Sequence, residues 1–320
     1  MDLASKRHEH IGWSSALTAL WVSALWGGNV IALKLGLATV PPLWSAFWRF
    51  LTGFVAVVVW AKSSGIPLRP RPGERWPLCI LGVLFTLQIT GLNLGVNATS
   101  PAYAVILLNS HPVFTNFISH FFVLEDRLSP QRVLGLAIAF GGICYLALGR
   151  PDAHLAPHPI QGNIIIVASA MLLAARMVYT QRLVQTIEPL RPVVWQMFFS
   201  LPFFLAAALW LEPPALKPLT AVPVLAILYQ GLAIGGLCFV VWTRLLKRHS
   251  PGSLSVFGFS VPVFGVLLSA FIFDETITGR VVAGMAAVTA GILIVTRRRA
   301  PGEGVETEQS VEEAMEEVLR

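Results

Sequence analysis

The chain has 320 residues, 55% of them hydrophobic and 12% charged, with a mean hydropathy of +0.69. Soluble domains carry about 25% charged residues, so a soluble fold is excluded and a membrane protein is indicated. The net charge of +6 comes from basic residues scattered over separate short segments; no basic face forms, which excludes nucleic acid as a partner.

Charge-poor stretches recur in chain order. Lys6 and Arg7 precede an apolar run from Ile11 to Leu33 that lacks a small-residue cleavage motif, so it reads as a retained first span, 14–36, and not as a cleaved signal peptide. The second stretch is 43–61. From Trp76 to Leu124 there are 49 residues without Asp, Glu, Lys or Arg. As one helix they would run about 74 Å against a hydrocarbon core of about 30 Å, so two spans are required. They divide at the turn formers Asn97 to Ser100, with Pro101 opening the next helix, which gives spans 77–96 and 101–123. Further spans are predicted at 130–149, 160–181, 192–211, 220–243, 252–273 and 279–296. The predicted fold class is thus an all-α integral membrane protein with ten transmembrane helices; the alternation of an outer-membrane barrel is absent. Cys79, Cys144 and Cys238 fall in separate apolar spans and read as small hydrophobes. Beyond Arg299 the composition changes to a solvated acidic tail with seven glutamates.

With both termini cytoplasmic, sixteen Lys and Arg fall on the inner side, and only Arg150, Lys217 and Arg280 lie in outer loops. That bias predicts a multi-pass protein of the cell (inner) membrane with both ends inside. The stretch SHPVFTNFISHFFVLED, beginning at Ser110, is echoed by SVPVFGVLLSAFIFDE, beginning at Ser260. Laying residues 100–121 over 250–271 gives eight identities in 22 positions, and Gly135 and Gly142 then match Gly284 and Gly291 after a one-residue slip. The chain is read as two homologous halves. Five spans per half is an odd number, so the second half enters from the opposite side, making two inverted five-helix repeats, a build recurrent in secondary transporters.

In the first half, Trp26, Gly27, Asn29, Lys34, Pro42 and Arg49 stand at the spacing of the EamA-type drug/metabolite transporter superfamily. The run SPAYAVILLNSHPVF, the following LEDRLSPQRVLG and Gly142 resemble the end of that family's first repeat, and SVPVFGVLLSAFIFDETITGRVVAG with Gly291 resembles the end of its second. The resemblance covers roughly residues 14–297. It implies a ten-helix transporter, commonly an exporter, that moves small metabolites through a central cavity between the repeats. The domain division is then a cytoplasmic N-terminus at 1–13, EamA-like repeats at 14–150 and 151–299, and an acidic cytoplasmic tail at 300–320. The sequence departs from the family pattern in having Glu125-Asp126 for the usual Gly-Glu, and Asn109 and His111 where apolar or hydroxyl residues are usual.

No Asp or Glu falls inside a predicted span, whereas Lys34, Arg49 and Arg176 do or lie at span edges. A central cation costs about 2.5 to 3.5 kcal/mol on insertion scales, so each must snorkel, pair or face water. Lys34 is expected to snorkel to headgroups, and Arg176 to reach the inner interface near Arg182. Arg49 lies deeper and has two open readings: satisfying backbone carbonyls, or facing a cavity where a carboxylate or phosphate would pair with it. Glu125, Asp126, Asp274 and Glu275 sit at span ends just before Ser129 or Thr278, the expected helix caps, where a negative charge favours the helix dipole. Asn109, Asn116 and His120 share one helical face, with His111 and Thr115 on a neighbouring stripe. Pro112 frees the Leu108 carbonyl, so His111 and Asn109 either satisfy an irregular backbone or line the cavity. Asn29, Gln88, Asn93, Tyr179 and Gln196 are further polar groups near mid-depth, readable as interhelical bonds or as cavity lining. Trp44, Trp60, Trp76 and Trp210 read as an aromatic belt, while Trp26, Trp48 and Trp195 lie deeper and are candidates to stack on a solute. The cavity candidates are therefore Asn29, Arg49, Gln88, Asn93, Asn109, His111, Tyr179, Trp195 and Gln196. The glycines, Gly27, Gly28, Gly91, Gly95, Gly235 and Gly236 among them, are read as helix-packing positions.

The leading functional reading is a secondary transporter, an exporter of small polar metabolites such as amino acids or related carboxylates, with no catalytic residue, metal or cofactor. The partners are a small-molecule substrate and the lipid bilayer, and histidine is the remaining route for proton coupling. The alternatives are an intramembrane lipid-modifying enzyme, against which stands the lack of an Asp-rich, GxSxG or HExxH motif, and a membrane sensor or channel. Deletion after Arg299 is expected to leave transport intact in a well-inserted protein, and solute release from cells expressing the truncated chain checks this.

Overall fold

The computed structural model describes residues 12–122, 130–151, 153–212, 220–248, 257–258 and 260–296. The acidic tail, Glu125, Asp126 and the side chains of Asn116 and His120 lie outside the described residues. Among the described residues the regular structure is entirely helical. The helices are α1 (Trp13–Leu37), α2 (Pro42–Ser63), α3 (Arg75–Ala98), α4 (Pro101–Leu108), α5 (His111–Phe122), α6 (Pro130–Ala147), α7 (Pro159–Thr186) and α8 (Leu190–Leu211). There follow α9 (Ala221–Leu228), a π-helical segment (Tyr229–Cys238), α10 (Phe239–Arg248), α11 (Ser260–Phe273) and α12 (Gly279–Thr296).

Six of these stretches are long and apolar enough to cross a bilayer: α1, α2, α3, α7, α8 and the continuous run Ala221–Leu245. The others are shorter, and the span predicted at 101–123 is interrupted. The α3–α4 break falls where the turn formers indicated, with the Ser100 side chain accepting from the Tyr103 N–H and Pro101 at the first helical position. A second break follows at Asn109 and Ser110. Pro112 cannot donate to Leu108, and Ser110 instead satisfies the α4 terminus, its hydroxyl donating to the Leu107 carbonyl at 2.6 Å. Outward-facing side chains such as Val59, Leu87, Phe203, Leu209 and Phe271 are more than half exposed. With Trp13, Trp76 and Trp210 exposed near helix ends, they make a lipid-compatible coat.

The two halves interdigitate. α1 packs on α11 and, reciprocally, α7 packs on α5; α2 pairs with α8, and α6 with α12. Small residues permit the approach. A Cβ on Gly27 would stand 2.7 Å from Phe264 Cβ, one on Gly95 2.7 Å from Ile166, and one on Gly291 2.5 Å from the Gly135 carbonyl oxygen. Gly235 and Gly236, by contrast, have ordinary clearance, the nearest atoms lying 3.4 and 3.5 Å away, so close packing is not what they supply.

Ionic groups fasten helix ends, and two sequence expectations change. Lys34 does not snorkel. Its Nζ donates to the carbonyls of Val96 (2.9 Å), Thr99 (2.8 Å), Leu155 (2.6 Å) and, more weakly, Asn97 (3.4 Å). The carbonyls at the C-terminus of α3 have no intrahelical partner, and an ammonium there also meets the negative end of the helix dipole. Thr278 caps its helix as expected, but Glu275 serves a helix other than its own. It accepts from the Ala102 N–H at the start of α4 and from the Ser269 hydroxyl, while Thr278 Oγ1 takes the Val281 N–H of α12. Glu212 does for α2 what Glu275 does for α4, accepting from Leu43 and Trp44 N–H at 2.9 and 3.1 Å. Partial burial raises the Glu212 carboxyl pKa above its ordinary value, while those backbone donors act in the opposite direction. At the other end of α2, Arg191 pairs with Glu74 at 3.0 Å and donates to the Pro67 carbonyl at 2.9 Å, docking the α2–α3 connection on α8. Lys34→Met should lower stability by about 2 kcal/mol, since hydrogen bonds to a charged group are lost and buried carbonyls are left unmet; thermal unfolding in detergent reads the change, with Lys34→Arg expected to lose less.

Candidate functional site

A cavity of about 230 Å³ lies among the helices of both halves. That is the space of roughly eight waters at ~30 Å³ each, the scale of one small metabolite. Asn29 comes from α1, Arg49 from α2, Gln88 from α3, Asn109 and His111 from the α4–α5 break, Arg176 from α7, Gln196 from α8, and Gln230 from the π-helical segment. Trp26 and Trp242 stand edge to face at the wall, their centroids 4.8 Å apart.

Arg49 faces this cavity. Its Nη1 donates to Gln230 Oε1 at 2.8 Å, and its Cζ lies 4.4 Å from the centre of the Phe50 ring. Nε and Nη2 are buried without a partner. Arg176 faces it too, in place of the expected reach to the inner interface. Its Nη1 donates to Gln196 Oε1 at 3.1 Å, its Cζ is 5.1 Å from the Phe85 ring centre, and its Nε is unpartnered. The ring and amide neighbours explain the difference: they give the guanidinium cation–π and hydrogen-bond partners at depth, so it has no need to extend to the surface. Among the described residues lining the cavity there is no Asp or Glu.

The neutral groups divide into two kinds. Asn29 Oδ1, Gln88 Oε1 and His111 Nδ1 are buried and unpartnered. Asn109 Nδ2 instead donates to the Val105 carbonyl at 2.8 Å, and Thr115 Oγ1 to that of His111 at 3.0 Å, so part of the polar stripe serves the irregular backbone. Three sequence candidates lie outside the lining. Trp195 Nε1 donates to the Leu68 carbonyl at 2.8 Å and Tyr179 Oη to that of Pro77 at 3.2 Å, holding the approach to α3. Asn93 is fully buried with both amide atoms unpartnered. Trp48 is 46% exposed on the outer surface, leaving Trp26 as the one of the three deep tryptophans that lines the cavity.

Sequence reasoning missed Gln230. The signal was the glycine that follows it: a Cβ on Gly231 would stand 2.7 Å from the Arg49 carbonyl and closer still to Thr52, and one on Gly53 would stand 3.0 Å from the Gly231 carbonyl. Backbone-to-backbone contact of α2 with the π-helical segment therefore brings the Gln230 amide to Arg49. Local π turns of this kind gather at functional sites.

The EamA-like transporter family model matches residues 13–148 and 160–297. The chain belongs to that family. It is therefore a multi-pass membrane transporter, built from two EamA units around the cavity. A Salmonella typhimurium protein named as a probable amino-acid metabolite efflux pump is 27% identical over 86% of this chain and 92% of its own length. An Escherichia coli protein of the same description is 24% identical with the same coverage, and the Bacillus subtilis uncharacterized transporter YoaV is 22% identical over 86% of this chain and 94% of its own. A solved structure 21% identical to the transporter covers 88% of it and 98% of the other chain with a TM-score of 0.64, a likeness of fold.

The matched segments align the site across the repeat. Asn29 and Arg176 each lie sixteen residues beyond the start of their segment, and Arg49 and Gln196 each thirty-six. Each unit thus offers one guanidinium and one amide, with the helices exchanged. Gly231→Ala should cost about 1 to 3 kcal/mol by overpacking and push Gln230 from Arg49; detergent melting together with solute release checks both effects.

Proposed function

We propose that the chain is a secondary transporter that exports small polar metabolites, amino acids or related carboxylates, by alternating access. Ten spans, arranged as inverted five-helix repeats with both termini cytoplasmic, carry a central cavity between them. The observation that bears most on this reading is the cavity itself, enclosed by residues of both matched segments and furnished with unpartnered polar groups from each. The reciprocal packing of α1 on α11 and α7 on α5 supports an inverted arrangement, because rocking one pair against the other would open the cavity to either face in turn. The broken α4–α5 helix and the π-helical segment both contribute to the cavity lining, as expected where irregular backbone lines a solute path. The names of the Salmonella typhimurium and Escherichia coli relatives support amino-acid metabolites as the solute class.

Arg49 is assigned to hold a substrate carboxylate, since a guanidinium with two free donor atoms forms paired hydrogen bonds with such a group. Asn29 and Gln88 are assigned to accept from its polar hydrogens, and Trp26 to cover its apolar part. His111, unpartnered at Nδ1 and free of a carboxylate neighbour in the lining, is the group through which a proton gradient would couple. The test is metabolite release from cells with and without the gene product. The wild type should raise export of one or a few small acids, and Arg49→Ala should cut that export at least tenfold, equivalent to about 1.4 kcal/mol or more. Unchanged release profiles from a membrane-inserted wild type would refute the export reading.

A further inference from the structure

We propose, building on the transporter reading above, that the cavity takes a dianion bridging Arg49 and Arg176, either a dicarboxylate or a phosphate monoester. We further propose that the carrier reorients readily only when so loaded, working as an anion exchanger. Arg49 is 2% exposed, and one amide oxygen and one ring face are what the protein gives it, with Nε and Nη2 left without acceptors. Arg176 receives the same kind of company from Gln196 and Phe85, again with a free Nε. The rings beneath the two cations touch edge to face at 4.7 Å, so the guanidiniums flank one aromatic pair and one cavity.

An amide oxygen and a ring quadrupole solvate a guanidinium but do not neutralise it, and among the described residues no carboxylate lines the cavity to do so. The missing charges must come from the occupant. One negative charge would satisfy one arginine and leave the other bare; two match the pair, and both carboxylate and phosphate oxygens fit the guanidinium fork. A zwitterion such as leucine brings an ammonium that repels both, so within the solute class proposed above the inference narrows to the related carboxylates and their phosphate counterparts. The two halves supply one cation each, so a bridging dianion also ties together the units that move against each other.

Exchange follows from the same imbalance. The occluded intermediate of alternating access shuts water out of the cavity. Empty, it would hold two uncompensated cations in a low-dielectric space; loaded with a dianion, it is neutral. The unloaded carrier therefore crosses slowly, and export proceeds by swapping one anion for another.

The experiment uses the full chain in proteoliposomes, with labelled succinate and labelled inorganic phosphate as separate probes and leucine as the zwitterionic control. Uptake of one dianion into vesicles preloaded with that dianion should exceed uptake into anion-free vesicles at least tenfold, and the responding probe tells carboxylate from phosphate. Arg49→Gln and Arg176→Gln should each slow exchange at least tenfold. Independently of those variants, the preferred dianion should raise the melting temperature of the wild type in detergent where leucine does not. Equal uptake into loaded and empty vesicles overturns the exchange mode. Leucine uptake by the wild type as fast as that of the responding dianion overturns the dianion. A wild type that releases metabolites from cells but neither moves nor is stabilised by either dianion overturns this inference and leaves the export reading in place; a wild type inert in both assays sinks the two together.

Discussion

A cation in the hydrocarbon layer has to find its acceptors within the protein, because neither lipid nor bulk water is there to supply them. This chain carries three such cations, and the way each is satisfied sets much of the surrounding structure. Lys34 spends its donors on carbonyls at the C-terminus of α3 and on Leu155, which joins α1 to α3 and to the segment leading into α7. Arg49 and Arg176 spend only part of theirs, on Gln230 and Gln196, and leave the Nε of each and the Nη2 of Arg49 unpartnered beside the cavity they line. One cation is thus consumed by architecture and two are held in reserve. Carboxylates show the complementary pattern: Glu74, Glu212 and Glu275 sit at helix ends, where orphan backbone N–H groups or Arg191 meet them.

Much of the fold was legible in the sequence for simple reasons. A run of 49 residues without a charge cannot be one helix, and the turn formers before Pro101 mark where it parts, so the end of α3 and the start of α4 follow closely. The glycines at 27 and 95 were legible as contacts because small residues inside apolar spans have few other uses. The break at Asn109 and Ser110 was only half legible: Pro112 announces a missing hydrogen bond, but whether a helix bends or stops depends on what Ser110 can reach.

The site was less legible, and the errors share a cause. Periodicity places a residue on a face and length places it at a depth, but neither says which neighbour that face meets. Arg176 lies close enough to the C-terminal end of α7 for its side chain to extend outward; what keeps it inside is Phe85 on α3 and Gln196 on α8, partners on other helices. Lys34 was misread for the same reason, since its carbonyl partners are 62 or more residues distant. Trp195 and Tyr179 combine an apolar body with a polar tip and suit a solute pocket, yet each found a backbone carbonyl beside the start of α3. Gln230 drew no attention because a glutamine in an apolar span carries no charge that demands an explanation.

The repeat gives these placements a further consequence. Asn29 and Arg176 occupy corresponding positions in the two matched segments, as do Arg49 and Gln196, so the first unit carries its cation on its second helix and the second unit carries its own on its first. With the positions exchanged, the two guanidiniums are supported by different routes: Arg49 by Gln230 of the other unit, Arg176 by Gln196 of its own. The Arg49–Gln230 bond therefore links the two units, and Arg176–Gln196 lies within one. An occupant that binds Arg49 acts on the one of these two bonds that crosses between units, so its binding energy bears on how the units sit together, and a ligand shifts an equilibrium only by such differential contacts.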